Sequence, residues 1–172
     1  MPALIPVLGK DEVDRLVTTV AQKISSDYRD REVILVGVLK GAFVFLSDLM
    51  RKLSIPAKVD FLRVASYGSG TSSCGKIQLL KDLELDIRNK DVLLVEDIVD
   101  TGCTLRYLMD FLNSHSPRTV RVCALIDKRE RRESEVVIDY VCHVVRQGFL
   151  VGYGLDYAED YRYLPGIYHL KF

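Results

Sequence analysis

The sequence has no tryptophan, only three scattered histidines, and four cysteines without a Cys-x-x-Cys pair among its 172 residues. Such spacing excludes a zinc finger or ribbon, and so few cysteines exclude a disulfide-scaffolded miniprotein. Cys74, Cys103, Cys123 and Cys142 are therefore expected to be reduced thiols. No apolar run approaches a membrane span, and no basic segment with an apolar core opens the chain. A soluble, cytoplasmic protein with no membrane partner is the expectation. Charge of one sign is missing too: 24 basic residues balance 24 acidic ones, so no overall field recruits nucleic acid. An acidic ligand would need a pocket built for it. Repeats, low-complexity stretches and linkers are absent, and the length suits one domain with its own core.

What the chain does have is hydrophobic periodicity. Val13, Leu16, Val17, Val20 and Ile24 predict an amphipathic helix over 11–28, with Asp11 and Glu12 at its positive end. The run 33–38 is short, β-branched and apolar, as a strand covered on both faces should be. A helix is expected over 42–52, ending before Pro56. Strands are expected over 57–66, with Val59 and Phe61 inward and Asp60 and Arg63 outward, and over 77–80. Further strands fall at 92–95, 119–126 and 136–145, and a helix runs from Thr104 to just before Pro117. The segment 149–172 reads as loop plus a short strand. Strands alternating with helices imply an α/β fold with a mostly parallel central sheet flanked by helices. In such sheets ligands bind beyond the carboxyl ends of the strands, here the loops after Val38, Val95 and Ile126.

Two motif matches fail on chemistry. Gly70-Thr-Ser-Ser-Cys-Gly75-Lys76 follows a phosphate-binding P-loop for seven positions, but Ile77 stands where a magnesium-binding hydroxyl is required. Gly68-Ser-Gly70 and Gly152-Tyr-Gly154 both lack the third glycine of a dinucleotide fingerprint.

The informative stretch is Val92-Leu-Leu-Val-Glu96-Asp97-Ile-Val-Asp100-Thr101-Gly102-Cys103-Thr104. A buried strand ends in two adjacent carboxylates, and a third carboxylate precedes Thr-Gly-x-Thr at a helix start. Helix-start N–H groups, a glycine that admits close approach and two hydroxyls make a phosphate cradle. Adjacent carboxylates can hold ribose hydroxyls or a magnesium shell. Asp100, between the two, can exchange a proton with a bound ring. A capped helix with solvated acids would show no such acid density beside a phosphate nest.

This stretch resembles the phosphoribosyl pyrophosphate signature of the type I phosphoribosyltransferases. Over nearly its whole length the chain resembles their hypoxanthine-guanine branch, through Leu39-Lys40-Gly41, Ser66-Tyr67-Gly68, Asp127-Lys128-Arg129, Phe149 to Tyr157, and Arg162. The resemblance implies one domain, with a core over about 30–145 and a small hood built from the N-terminal segment and about 146–172. It implies that Glu96 and Asp97 bind ribose hydroxyls and organise Mg2+, and that Asp156 ligates a second ion. Asp100 becomes the acid/base at purine N7, and Thr101, Gly102, Cys103 and Thr104 surround the 5′-phosphate. Lys128 donates to the 6-oxo oxygen, Phe149 stacks on the base and the Leu150 carbonyl reads its edge. Lys40, after a cis peptide, and Gly41 hold pyrophosphate with Arg162. Ser66 and Tyr67 open a loop that closes over the site. A homodimer or homotetramer follows by the same analogy.

Simple chemistry agrees. A ribose cation-like state with pyrophosphate leaving needs cations at the leaving group and protection from water, and the glycine-rich segment 67–75 has the composition of a lid. A lysine donates to an oxo oxygen and is a poor partner for an amine. The branch usually carries Ile-Pro-Asp and a charged residue before the Phe149 position. Here Val145-Arg146-Gln147-Gly148 stands there, which leaves the order among hypoxanthine, guanine and xanthine open. Two other readings are a regulatory relative that binds phosphoribosyl pyrophosphate and RNA, and a xanthine-preferring enzyme.

Overall fold

Along the strand Val33–Leu39, odd and even side chains face opposite cores, and that alternation organises the computed structural model, which describes residues 2–67 and 74–172. Val33 and Leu35 join one cluster; Ile34, Val36 and Val38 join the other. A strand buried on both faces needs helices on both, and the chain supplies them.

In order, the elements are β1 (Ala3–Leu8), α1 (Lys10–Asp27), β2 (Val33–Leu39), α2 (Phe43–Lys52), β3 (Ala57–Tyr67) and β4 (Lys76–Lys81). There follow β5 (Asp91–Val99), α3 (Cys103–Asn113), β6 (Thr119–Lys128), β7 (Tyr140–Val145), β8 (Leu150–Val151) and β9 (Ile167–Lys171). The central sheet has the order β4-β3-β2-β5-β6-β7. All its pairings are parallel except β3 with β4, in accord with the expected mostly parallel α/β class. Helices α1 and α2 cover one face through Val13, Val17, Ile24, Phe45 and Leu49. Helix α3 covers the other through Leu105, Leu108 and Leu112. Each of those leucines is essentially inaccessible, so truncating one to alanine costs about 2–5 kcal/mol. The terminal segments meet in a separate antiparallel sheet of order β1-β9-β8.

Several expected boundaries move. Residues 3–8 form a strand that the sequence analysis leaves unassigned; Pro6 is tolerated because β1 is an edge strand, and the register shifts between Pro6 and Leu8. β5 runs on through Val99. β7 begins only at Tyr140: ahead of it Val136 and Ile138 pack against the core under α3, and Asp139 donates its N–H to Val122 O at 3.0 Å while its carboxylate accepts the Val122 N–H at 2.8 Å. Earlier in that connection the N–H groups of Glu133 and Ser134 donate to Thr101 O at 2.9 and 3.0 Å. In β3 the expected outward Asp60 is buried, accepting from the N–H groups of Phe61, Glu84 and Leu85 at 2.7–2.8 Å. The expectation of four free thiols is corrected: Cys74 and Cys103 form a disulfide, while Cys123 and Cys142 are free and buried.

Candidate active site

The carboxyl ends of β2, β5 and β6 lie side by side, and each delivers a turn with chemistry on it. After β5, Gly102 adopts φ +85° and caps α3. A Cβ there would sit 2.7 Å from Ser134 O, so both the backbone and the space demand glycine. Thr101 Oγ1 accepts the Cys103 N–H at 3.3 Å. Around this turn lies a cavity of about 130 Å³ bounded by Glu96, Asp100, Thr101, Gly102 and Thr104. Cys103 does not line it, because its side chain points to Cys74 and Ser134 behind the turn.

A second cavity, about 210 Å³, is lined by Asp97, Asp100, Lys128, Phe149, Leu150 and Asp156 among others. Asp100 is thus a wall shared by both spaces. Its Oδ1 is buried with no hydrogen-bond partner among the described residues, and its Oδ2 lies 3.5 Å from Lys128 Nζ. An orphaned acceptor inside a cavity is costly unless a ligand supplies a donor. Phe149 is half-exposed, lines this cavity and stands perpendicular to the Tyr157 ring at 5.7 Å. Just before it the chain turns on a glycine. Gly148 has φ +103°, its N–H donates to Glu130 at 3.1 Å, and a Cβ would meet the His169 ring at 2.6 Å.

Glu96 and Asp97 are held in an apolar strand end. Burial, with the Asp97 charge beside it, pushes the Glu96 carboxyl well above the usual range. Burial likewise raises Asp97 to about 6, against the opposing N–H bonds of Ile98 and its own backbone. Two carboxyls that resist ionisation this way gain from a cation, which displaces their protons. The donor set is all hard oxygen, which suits Mg2+. Glu96, Asp97 and Asp156 do not, however, converge in one coordination sphere. Among the described residues the only group of that kind is Cys74, Cys103 and Glu133. A cation at the strand end would therefore take one or two carboxylates and complete its shell with water and substrate oxygens, as Mg2+ does.

The Leu39–Lys40 peptide is cis. Gly41 packs so tightly that a Cβ would fall 1.7 Å from Asp97 Oδ2, and Gly154, at φ +97°, would in turn strike Gly41 O. Lys40 and Arg162 are joined through an acid that the sequence analysis passes over. Glu159 accepts from Lys40 at 2.8 Å and from Arg162 at 3.4 Å, and Arg162 also contacts Asp156 at 3.0 Å. The hydrogen bond from Lys40 holds the Glu159 carboxyl below its ordinary range. Also missed is Arg132, whose guanidinium donates to Asp100 O at 2.8 Å and reaches Val99 O, Lys128 O and Asp127. Ser66 and Tyr67 are the exposed end of β3, paired with Ile77 and Lys76, and border neither cavity. The proposed lid lies mostly in 68–73, outside the described residues. A concavity of about 660 Å³ lies away from these turns, against α1, α2 and 159–165, and only its Glu159–Arg162 rim touches the site.

Known proteins resemble this chain over most of its length. A family model described as the phosphoribosyl transferase domain matches residues 9–158. The hypoxanthine phosphoribosyltransferase of Salmonella typhimurium is 43% identical over 161 residues, covering 92% of this chain and 90% of that protein. The hypoxanthine-guanine phosphoribosyltransferase of Streptococcus pyogenes is 39% identical, covering 95% and 91%. Among solved structures, a hypoxanthine phosphoribosyltransferase from Staphylococcus aureus superposes with TM-score 0.93 at 38% identity, covering 96% and 90%. One from Bacillus anthracis, a hypoxanthine-guanine phosphoribosyltransferase with HEPES in its active site, gives 0.91 at 39%, covering 96% of each chain. The chain belongs to the phosphoribosyl transferase domain family.

Proposed function

We propose that the protein is a purine salvage enzyme that transfers the 5-phosphoribosyl group of phosphoribosyl pyrophosphate to hypoxanthine or guanine, giving IMP or GMP and pyrophosphate. The observation that carries the site assignment is Asp100: it stands between two cavities with Oδ1 unpartnered among the described residues, and Lys128 flanks its Oδ2. In this reading the 5′-phosphate lies on the Thr101–Thr104 turn and the base lies over Phe149 in the larger cavity. Lys128 donates to the 6-oxo oxygen, and the Leu150 carbonyl reads the adjacent edge. Purine N9 attacks ribose C1′ as the bond to pyrophosphate oxygen breaks, and the N7 proton passes to Asp100 Oδ1. Glu96 and Asp97 hold the ribose hydroxyls and Mg2+, with Asp156 at a second ion, and Lys40, Gly41 and Arg162 receive the leaving pyrophosphate. Mg2+ when bound neutralises charge on the leaving group.

The whole chain is read as one such domain, working in the cytoplasm as a homodimer or homotetramer. Among the described residues no helix is long and apolar enough to cross a membrane. The test is ultraviolet detection of nucleotide formation with phosphoribosyl pyrophosphate, Mg2+ and hypoxanthine, guanine, xanthine, adenine or uracil in turn. Turnover of the 6-oxopurines without adenine or uracil is expected. Turnover of xanthine alone would move the assignment to a xanthine-preferring enzyme. A folded protein that binds phosphoribosyl pyrophosphate and turns over no base would overturn the enzyme reading.

A further inference from the structure

Behind the phosphate turn, the first residue of α3 is cross-linked to the residue two places before β4. Cys103 and Cys74 have Cα atoms 5.4 Å apart, within the range a disulfide spans without backbone movement. Cys74 is exposed, and Cys103 is buried against it. The Glu133 carboxylate and Ser134 hydroxyl lie 3.8 and 4.0 Å from Cys74 Sγ. These are the same two residues whose N–H groups brace Thr101 O. The pair therefore joins three elements: the β3–β4 hairpin, the phosphate turn and the 129–134 loop.

We propose that Cys74 and Cys103 are a reversible thiol–disulfide modification site that adjusts turnover at the neighbouring phosphate turn; the effect on turnover rests on the function proposed above. The oxidant is a low-molecular-weight disulfide such as oxidised glutathione. The exposed Cys74 thiolate attacks one glutathione sulfur and releases one glutathione thiolate, forming a mixed disulfide. The Cys103 thiolate then attacks Cys74 Sγ and releases the second. Two protein protons end on two glutathione thiols, so the exchange balances. Cys103 suits its part by position, since it is the first residue of α3 and is buried directly behind Cys74. The other thiols do not compete. Burial pushes Cys123 well above its ordinary range and Cys142 up to about 12, and neither is accessible.

The consequence follows from where the link lies. Cys103 does not line the 130 Å³ cavity, so cross-linking leaves the phosphate space open and fixes its backing to the hairpin. Oxidation then lowers kcat severalfold while the KM for phosphoribosyl pyrophosphate stays nearly constant. The bridge closes a loop with a sequence separation of 29, which raises Tm by roughly 10 °C.

The experiment equilibrates the full chain and Cys74→Ser with reduced or oxidised glutathione. Intact mass, Tm and steady-state kinetics are then measured. Loss of two hydrogens, a higher Tm, a lower kcat restored by dithiothreitol, and no response in C74S would support the site. An oxidised wild type that retains both thiols, or a cross-linked form with unchanged kcat, would overturn it. So would protection of both thiols by stoichiometric zinc chloride with no cross-link formed, which would make Cys74, Cys103 and Glu133 a metal site. Absence of turnover in the fully reduced enzyme would count against the proposed function instead, because mass and Tm report the cross-link independently.

Discussion

Replacing Arg132 by alanine removes one guanidinium that serves acceptors on both sides of the site. Its Nε donates to Asp100 O at 2.8 Å, and its Nη2 is shared among Val99 O, Asp127 Oδ1 and Lys128 O. One nitrogen cannot satisfy three acceptors fully, so the loss corresponds to about two charge-assisted hydrogen bonds. Asp127, buried, keeps Arg129 as a partner at 2.9 Å and is not stranded. The stability cost is therefore about 2–4 kcal/mol rather than that of an unpaired buried charge. For a chain of this length that lowers Tm by roughly 6–12 °C. Catalysis suffers differently. Arg132 fixes the Asp100 backbone against that of Lys128, and a shift of about 1 Å between acid and donor costs about 100-fold. Thermal denaturation and steady-state kinetics below Tm separate the two effects. R132A should lose about two orders of magnitude in kcat with little change in the KM for phosphoribosyl pyrophosphate. R132K should recover part of the stability but little of kcat, since lysine lacks the planar fork. If R132A is destabilised yet keeps kcat within about twofold of wild type, Arg132 braces the fold and does not position Asp100.

Three further outcomes are expected. Asp100→Asn removes the acceptor charge while keeping shape, so turnover should fall by about 10²–10⁴ with binding of phosphoribosyl pyrophosphate retained in calorimetry; an active D100N would remove Asp100 from the proton path. Glu159→Gln frees Lys40 and Arg162, so the KM for phosphoribosyl pyrophosphate should drop and pyrophosphate should inhibit more strongly; a raised KM would show that Glu159 supports the leaving group instead of competing with it. Asp91 is held below its usual carboxylate range, first by the Arg118 hydrogen bond and then by Thr119 at 2.7 Å, with burial opposing. A depressed folded value adds stability that is complete above the unfolded pKa of about 3.9 and is lost as pH falls through the folded value. Asp91→Asn should thus cost about 1–2 kcal/mol at pH 7, after allowance for the half-exposed Arg118, and progressively less in urea titrations as pH falls below the unfolded value and through the folded one.

The sheet was legible where burial is complete. β2 and residues 92–95 of β5 are uninterrupted apolar runs, and α3 shows its leucine stripe, so type and order follow from period alone. Legibility failed where a residue answers to a distant partner. Pro6 disguises β1, whose pairing with β9 is some 160 residues away in sequence, as its register of Ala3 with Lys171 shows. Asp60 looks outward in the alternation, yet it accepts N–H groups from 84 and 85 and meets Lys81 at 3.8 Å. No local pattern announces a buried acid whose donors come from the next connection.

The site divides along the same line. Glu96 through Thr104 was readable because one strand end and one helix start carry all its parts in a single stretch. Arg132 and Glu159 were not, since their partners stand 32 and 119 residues away. Within the charged run 128–133, one test could have found Arg132: Asp127 closes a buried strand, and a buried carboxylate needs a fixed cation. The tail offered no such handle. Tyr153, Ala158, Glu159 and Tyr161 all take positive φ, as do Gly152 and Gly154, so no period exists to be read there. Side chains are held in that costly conformation only where the surroundings over-determine it. Here the surroundings are Gly154 against Gly41, Arg162 on Gly154 O and Asp156, and Glu159 on Lys40. The irregular tail thus places a cation and two acids opposite the β2 turn, a task that a regular strand, with its side chains alternating between faces, would perform for only half of them.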